Sequence, residues 1–216
     1  MRHSVQEIYD KLSGRDVFVI GGGPSVKNID LSLLKNEKIV CLNNAYQLFE
    51  HATMLFWCDE SWVCNHLDTI NSHPCTIRFT ARHNGGNYLE KDIRTTANAS
   101  VLKRTGDFGF DPNLDHVKGN NSGALILNFL SNLKVNRIIL LGYDMDMTQG
   151  THWHDGHGLA MVPSIYDELF IPSIESMVSS IKQLGVEVIN CNPKSKLNCF
   201  TKKDFREFMN ERKGIS

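Results

Sequence analysis

The stretch Asp16-Val-Phe-Val-Ile-Gly-Gly-Gly-Pro-Ser25 constrains this chain more than any other. An apolar, mostly β-branched run that stops at three glycines reads as a buried parallel strand delivering a tight turn. Glycines at such a place admit positive φ and let a ligand approach the backbone. Pro24 and Ser25 suit the opening of a short helical turn, whose open N–H groups attract anions. The stretch is not the dinucleotide fingerprint, because the third glycine of that pattern falls on Val26. Two readings stand side by side. Either Gly21, Gly22, Gly23, Pro24 and Ser25 bind phosphate, or they make a tight turn that binds nothing.

The pattern repeats along the chain. Residues 38–42 read as a second strand ending at Asn43-Asn44, and residues 53–58 as a third ending at Asp59-Glu60. Residues 75–79 are expected to be a fourth. Helical spacing marks residues 4–13, 61–70, 174–184 and 203–213. Strands alternating with helices at this interval predict an α/β, Rossmann-like, mostly parallel sheet with helices on both faces, in one nucleotide-binding domain spanning residues 1–216. Ligands of such sheets bind outside the carboxyl ends of the strands. The polar ends of the first three strands therefore nominate one crevice. Residues 81–120, rich in Gly, Asn and charge, interrupt the rhythm and are expected to carry edge strands or an irregular flap over the site. Asn121-Ser122-Gly123 then heads an apolar run too broad for a surface helix, predicting a buried helix whose N-terminus faces the crevice. Residues 135–142 make the clearest central strand, ending at Tyr143-Asp-Met-Asp146, and residues 186–190 a last one.

Lys+Arg is 23 against Asp+Glu 24, so no bulk basic field argues for a stable nucleic-acid partner. Six scattered cysteines form no C-x-x-C pair, and most lie in apolar runs, where buried thiols are the plain reading. The N-terminus has no apolar signal core, and no 18-residue apolar segment occurs. A reduced, cytoplasmic protein is expected, with peripheral attachment at the inner face of the membrane as the alternative.

Three of the nine histidines, His152, His154 and His157, fall within six positions of a polar loop after the central strand. A histidine near its ordinary pKa of ~6.5 accepts a proton from a substrate hydroxyl at neutral pH. The competing readings are a metal site and solvated loop histidines; His-x-His-x-x-His without a fourth ligand is weak zinc evidence. Asp144 and Asp146 fit Mg²⁺ at a phosphate, or a cap and a solvated surface. Asn43, Asn44 and Asp59 offer hydrogen bonds to a base and ribose, or serve turns and caps. Trp57 and Trp62 read as core or site wall, and Trp153 as a stacking surface.

In order, these pieces resemble the bacterial sialyltransferases that act on lipooligosaccharide. Gly-Gly-Gly-Pro-Ser-Val-Lys-Asn-Ile-Asp is similar to their opening G-x-G-P-S-L-x-x-I-D, Asn43 to their nucleotide-contacting strand end, and Asn121-Ser122-Gly123 to their Thr-Ser-Gly segment. Leu140-Leu-Gly-Tyr-Asp144 resembles their strand ending in Gly-Ile-Asp, after which a histidine follows, and residues 192–200 their final strand and turn. The resemblance spans residues 16–200. It implies a single-domain, metal-independent glycosyltransferase that uses a CMP-activated sugar and moves it, with inversion, to an acceptor hydroxyl, most naturally of a glycan. A histidine would be general base, with His157 first, His154 second and His152 third. A homo-oligomer is compatible with this reading. Two departures stand out: the family's asparagine at the third strand end is Cys58-Asp59 here, and the tyrosines it places after Gly-Ile-Asp, implicated at the leaving phosphate, are replaced by Met145-Asp-Met-Thr148. A weaker resemblance links the glycine opening and Leu-Leu-Gly-Tyr-Asp to MptE-like pterin diphosphokinases, which would make Asp59, Asp144 and Asp146 Mg²⁺ ligands in pyrophosphoryl transfer. A metal-dependent hydrolase on the histidine cluster and a non-catalytic nucleotide sensor complete the alternatives.

Overall fold

A computed structural model gives the fold; it describes residues 3–83, 97–148, 150, 152–153 and 162–214. The described residues contain nine strands, all parallel, in one sheet: β1 (Asp16–Ile20), β2 (Lys38–Leu42), β3 (Met54–Trp57), β4 (Arg78–His83), β5 (Ser100–Gly106), β6 (His116–Lys118), β7 (Arg137–Leu141), β8 (Glu187–Asn190) and β9 (Thr201–Lys202). Their order is β6-β5-β4-β3-β2-β1-β7-β8-β9. Pairing grows leftward from β1 through β6 and then restarts on its other edge with β7, so the order reverses between β1 and β7. Ile20 stands opposite both Cys41 of β2 and Leu141 of β7, so these three strands end level.

Alternation along β1 divides the core. Val17 and Val19 face α1 (Val5–Leu12), α3 (Ser122–Asn132) and the short helices α4 (Ile171–Glu175) and α5 (Val178–Gln183). Phe18 and Ile20 face α2 (Glu60–Ser72), α6 (Phe205–Lys213) and three 3-10 turns that follow β1 and β2. The expected doubly covered parallel sheet is thus present. Local chemistry sets the helix ends: Ser4 and Glu7 form a capping box on α1, Asp59 caps α2, Asn121 caps α3 and Asp204 caps α6. No helix among the described residues is long and apolar enough to cross a membrane.

All of α3 is buried, polar residues included. Asn128 Oδ1 accepts the N–H groups of Asp111 and Lys118, each at 2.9 Å, and its amide donates to Asp111 O at 2.9 Å. Asn132 donates to the carbonyls of Asp111 and Asn113. Buried polar groups need such partners. These bonds also fasten residues 111–118 onto the helix, and the described part of the 81–120 excursion contributes β5 and the parallel edge strand β6.

Three boundaries depart from the sequence expectation. The fourth strand is Arg78–His83, not residues 75–79, because Arg78 is buried at its head. Its guanidinium donates to the carbonyls of Cys75, His73 and Ala97 and to Asn71 Oδ1, so a charged residue sits where hydropathy would place a loop. The helix expected over 174–184 is a π turn (Tyr166–Phe170) followed by α4 and α5, with a break where Ser176 Oγ donates to Ser173 O and accepts Gly109 N–H. The two-residue β9 is too short for any periodicity to reveal.

Candidate active site

A cavity of about 370 Å³ lies at the carboxyl ends of β1, β2, β3 and β7, where the strand order reverses. Its wall brings together Gly21, Gly22 and Gly23, Asn43 and Asn44, Cys58 and Asp59, Asn121, Ser122 and Gly123, and Asp144, with Asp146 and His152. The crevice read from three strand ends is therefore one physical cavity. Pro24 and Ser25 are not on this wall; they face an adjacent cleft. His154 and His157 lie outside the described residues.

The glycines owe their identity to β7 and the histidine loop. Gly21 N–H donates to Leu141 O at 2.8 Å and Gly23 N–H to Gly142 O at 2.9 Å. A Cβ on Gly21 would stand 2.8 Å from Gly142 O, and one on Gly23 only 1.9 Å from Asp144 Oδ2. Gly142 returns the constraint, with φ +70° and the Val26 side chain 2.6 Å from where its Cβ would be. Two strand ends thus abut backbone to backbone. Gly22 instead meets His152, whose Cδ2 would lie 2.8 Å from a Cβ, and Gly22 O accepts Trp153 N–H at 3.0 Å. Trp153 packs against the α2 and α6 face of the core.

Asp144 closes the same turn. Its Oδ1 accepts Ser25 N–H at 3.1 Å and its Oδ2 accepts Ser25 Oγ–H at 2.8 Å. Burial raises its pKa, against the Ser25 hydrogen bonds, and the nearby Asp146 charge adds to the rise. Asp146 is held below the ordinary carboxylate value, chiefly by the Thr148 hydroxyl.

On the β2 and β3 side, Asn43 adopts φ +47°, a left-handed conformation that asparagine tolerates. Ser122 Oγ lies 3.3 Å from Asn43 Oδ1 and 3.1 Å from Cys58 Sγ, joining β2, β3 and α3. Burial raises the Cys58 thiol, so it stays protonated at neutral pH. Asn44 Oδ1 accepts the Trp62 indole N–H. Trp62 stacks on His66 at 4.7 Å, and His66 Nδ1 lies 3.0 Å from Tyr46 Oη. Asp59 Oδ1 accepts Trp62 N–H at 3.1 Å and Ser61 Oγ–H at 2.8 Å. Trp57 is core and Trp62 is wall.

The start of α3 is chemically open. Asn121 Oδ1 takes Ala124 N–H at 3.0 Å and Asn121 O takes Leu125 N–H at 3.1 Å. The N–H groups of Ser122 and Gly123 make no hydrogen bond among the described residues, and both residues line the cavity. Open N–H groups at the positive end of an eleven-residue helix suit an anion. Among the described residues no Lys or Arg lines the cavity. Among them, too, no group of three or more His, Cys, Asp or Glu is placed to hold a metal.

Sequence reasoning missed one wall. Ile165, Tyr166 and Phe170, on and beside the π turn, complete the cavity. Burial, then the charges of Asp144 and Asp146, raise the Tyr166 phenol, which therefore remains a proton donor at neutral pH. Tyr143, also on the wall, is spent structurally: its hydroxyl donates to Gly123 O at 3.3 Å. The only signal for Tyr166 was an aromatic residue ahead of an expected helix.

No protein-family model matches the chain, and no curated protein matches its sequence. Solved structures do share its fold. The sialyltransferase CST-II in complex with trisaccharide acceptor and CMP aligns with TM-score 0.55 at 15% identity, over 87% of this chain and 85% of that one. Campylobacter jejuni CstII in complex with a substrate analogue, cytidine-5'-monophosphate, aligns with TM-score 0.56 at 15% identity, over 88% and 85%. The monofunctional alpha-2,3-sialyltransferase Cst-I of Campylobacter jejuni aligns with TM-score 0.51 at 16% identity, over 86% and 79%. At these identities the likeness is one of fold.

Proposed function

We propose that the chain is a glycosyltransferase that moves a sugar from a CMP-activated donor to an acceptor hydroxyl. The observation that carries this reading is the convergence of Asn43, Asn44, Asp59, the Ser122 and Gly123 N–H groups and His152 on one cavity at the strand-order reversal. The sialyltransferases that share the fold, two of them solved with CMP, give the reading its donor.

In this mechanism the donor phosphate sits at the start of α3, where the helix N–H groups meet its charge. Asn43, Asn44 and Asp59 face the base and ribose. The acceptor oxygen forms its bond to the anomeric carbon as the bond to the phosphate oxygen breaks, and that electron pair leaves with CMP. A histidine of the 152–157 loop takes the acceptor proton, His157 ahead of His154 and His152. Tyr166 donates to the departing phosphate, in place of the tyrosines that Met145-Asp-Met-Thr148 replaces. Placement and acid–base assistance are the principal rate terms.

The Mg²⁺-dependent alternative is less well supported. Asp59 Oδ1 already caps α2, and both Asp144 oxygens are bound by Ser25. A thermal-shift series with CMP, CDP, UDP, ADP and ATP, each with Mg²⁺ and with EDTA, tests the proposal. Stabilisation by CMP that survives EDTA is expected; at 100 times Kd it amounts to about 2.7 kcal/mol. Stabilisation by ATP alone, and only with Mg²⁺, overturns the reading.

A further inference from the structure

A second cleft, of about 610 Å³, opens on the far side of the 24–28 turn, between that turn, the segment after β8 and the start of α6. It falls within the range of ~300–1,000 Å³ usual for small-ligand sites. It shares Asp144 and Asp146 with the first cavity, so the two meet along one wall.

Its lining is polar and specific. Asn192, 8% exposed, accepts Lys194 N–H on Oδ1 at 3.0 Å, which fixes the orientation of the amide. Its Nδ2 then makes no hydrogen bond among the described residues and belongs to a residue of the cleft wall. Also on the cleft wall, Asp30 and Asp204 each use Oδ1 for a local cap, Asp30 for Ser32 N–H and Asp204 for Arg206 and Glu207 N–H, leaving Oδ2 able to accept. Donors and acceptors are thus interspersed, as hydroxyl groups require, since each hydroxyl both donates and accepts. Among the described residues four carboxylates (Asp30, Asp144, Asp146, Asp204) and two cations, Lys194 and Arg206, line the cleft, with Lys196 Nζ 3.6 Å from Asp146 Oδ1, and this acidic balance disfavours a phosphate or carboxylate ligand.

We propose that this cleft is the acceptor subsite and takes a neutral or amino saccharide, whose reactive end reaches the donor cavity at the shared Asp144–Asp146 wall. The assignment rests on the glycosyltransferase reading for its meaning, but the binding claim does not.

The test is saturation-transfer NMR on the full chain, with lactose as the neutral probe and galacturonic acid as the anionic one, without and with saturating CMP. Two variants accompany it. Asn192→Asp keeps the oxygen that Lys194 N–H needs while replacing the free donor with an acceptor. Asn28→Trp fills the cleft from an exposed position. Lactose signals are expected in the native chain, persisting when CMP is present, and lost in both variants, with galacturonic acid silent throughout. An unchanged CMP thermal shift in each variant reports that the fold and the donor cavity are intact. No lactose signal in the native chain, lactose displaced by CMP, or lactose retained in both variants overturns the proposal. Should CMP fail to bind the native chain, the donor reading falls, and the variant comparison without CMP still decides the saccharide site.

Discussion

The imidazole of His152 rests on Gly22, with its Cδ2 2.8 Å from where a Cβ would project. Residues 152–153 and the glycine turn are thereby joined, fixed further by the Trp153 N–H to Gly22 O bond. Gly22 does not have the left-handed φ that forbids a side chain, so Gly22→Ala is tolerated by the backbone. Its expected stability change is within about 1 kcal/mol, since loss of unfolded-state entropy offsets crowding. Transfer activity is expected to fall about 10- to 100-fold, because a displaced loop misplaces the base. Paired thermal melts and kcat/KM values check this; equal losses in both would leave the loop without its special role.

Gly23→Ala behaves differently. The new Cβ meets Asp144 Oδ2 at 1.9 Å and Gly142 O at 2.6 Å, and the latter is backbone that cannot step aside cheaply. A destabilisation of about 1–3 kcal/mol is expected from such overpacking. Urea midpoints at constant slope measure it.

Two aspartates predict opposite pH responses. Burial raises Asp144 above its ordinary 3.8, so its contribution is fullest at low pH and is lost as pH rises through the folded value. Asp144→Asn should therefore gain stability relative to the native chain as pH climbs above about 4. Burial opposes ionisation of Asp16 too, but hydrogen bonds from Arg137 and Asn136 and the Arg137 and Arg212 charges outweigh it and hold the pKa down. That stability is present above the unfolded value and lost as pH falls through the folded one. Asp16→Asn should cost stability at neutral pH, and the cost should vanish in acid. Melting temperatures of the two variants against the native chain from pH 3 to 8 test both signs; parallel curves would contradict them.

Tyr166→Phe removes a protonated hydroxyl from the cavity wall while keeping the ring that packs edge-on against Phe170 at 5.5 Å. If the hydroxyl serves the leaving phosphate, kcat falls on the order of 100-fold with little change in the acceptor KM. A donor with a better leaving group should recover much of that loss, which a packing defect would not allow.

Much of the architecture was legible because it is local. The β-branched runs of β1, β2 and β7, the capping residues Ser4, Asp59, Asn121 and Asp204, and the apolar breadth of α3 each declare themselves within a few residues. The polar strand ends likewise announced a crevice. Strand β4 was displaced in the expectation because the burial of Arg78 depends on carbonyls at Cys75, His73 and Ala97, which no hydropathy window weighs together. Tyr166 escaped notice because its place on the cavity wall is set by how the 166–175 helical turns lie across α3.

By itself the sequence determined a parallel sheet with a glycine turn, two asparagines, an aspartate and a histidine loop at strand ends. Only the tertiary structure decided which of those groups are already committed. Ser25, expected beside a phosphate, spends its N–H and hydroxyl on Asp144, 119 positions away, and the Gly21 and Gly23 N–H groups are taken by carbonyls at the end of β7. Among the described residues, the N–H groups of Ser122 and Gly123 remain open at the cavity. Each donor satisfies one strong acceptor at a time, and which acceptor arrives is fixed by strand order and register, not by neighbours in the chain.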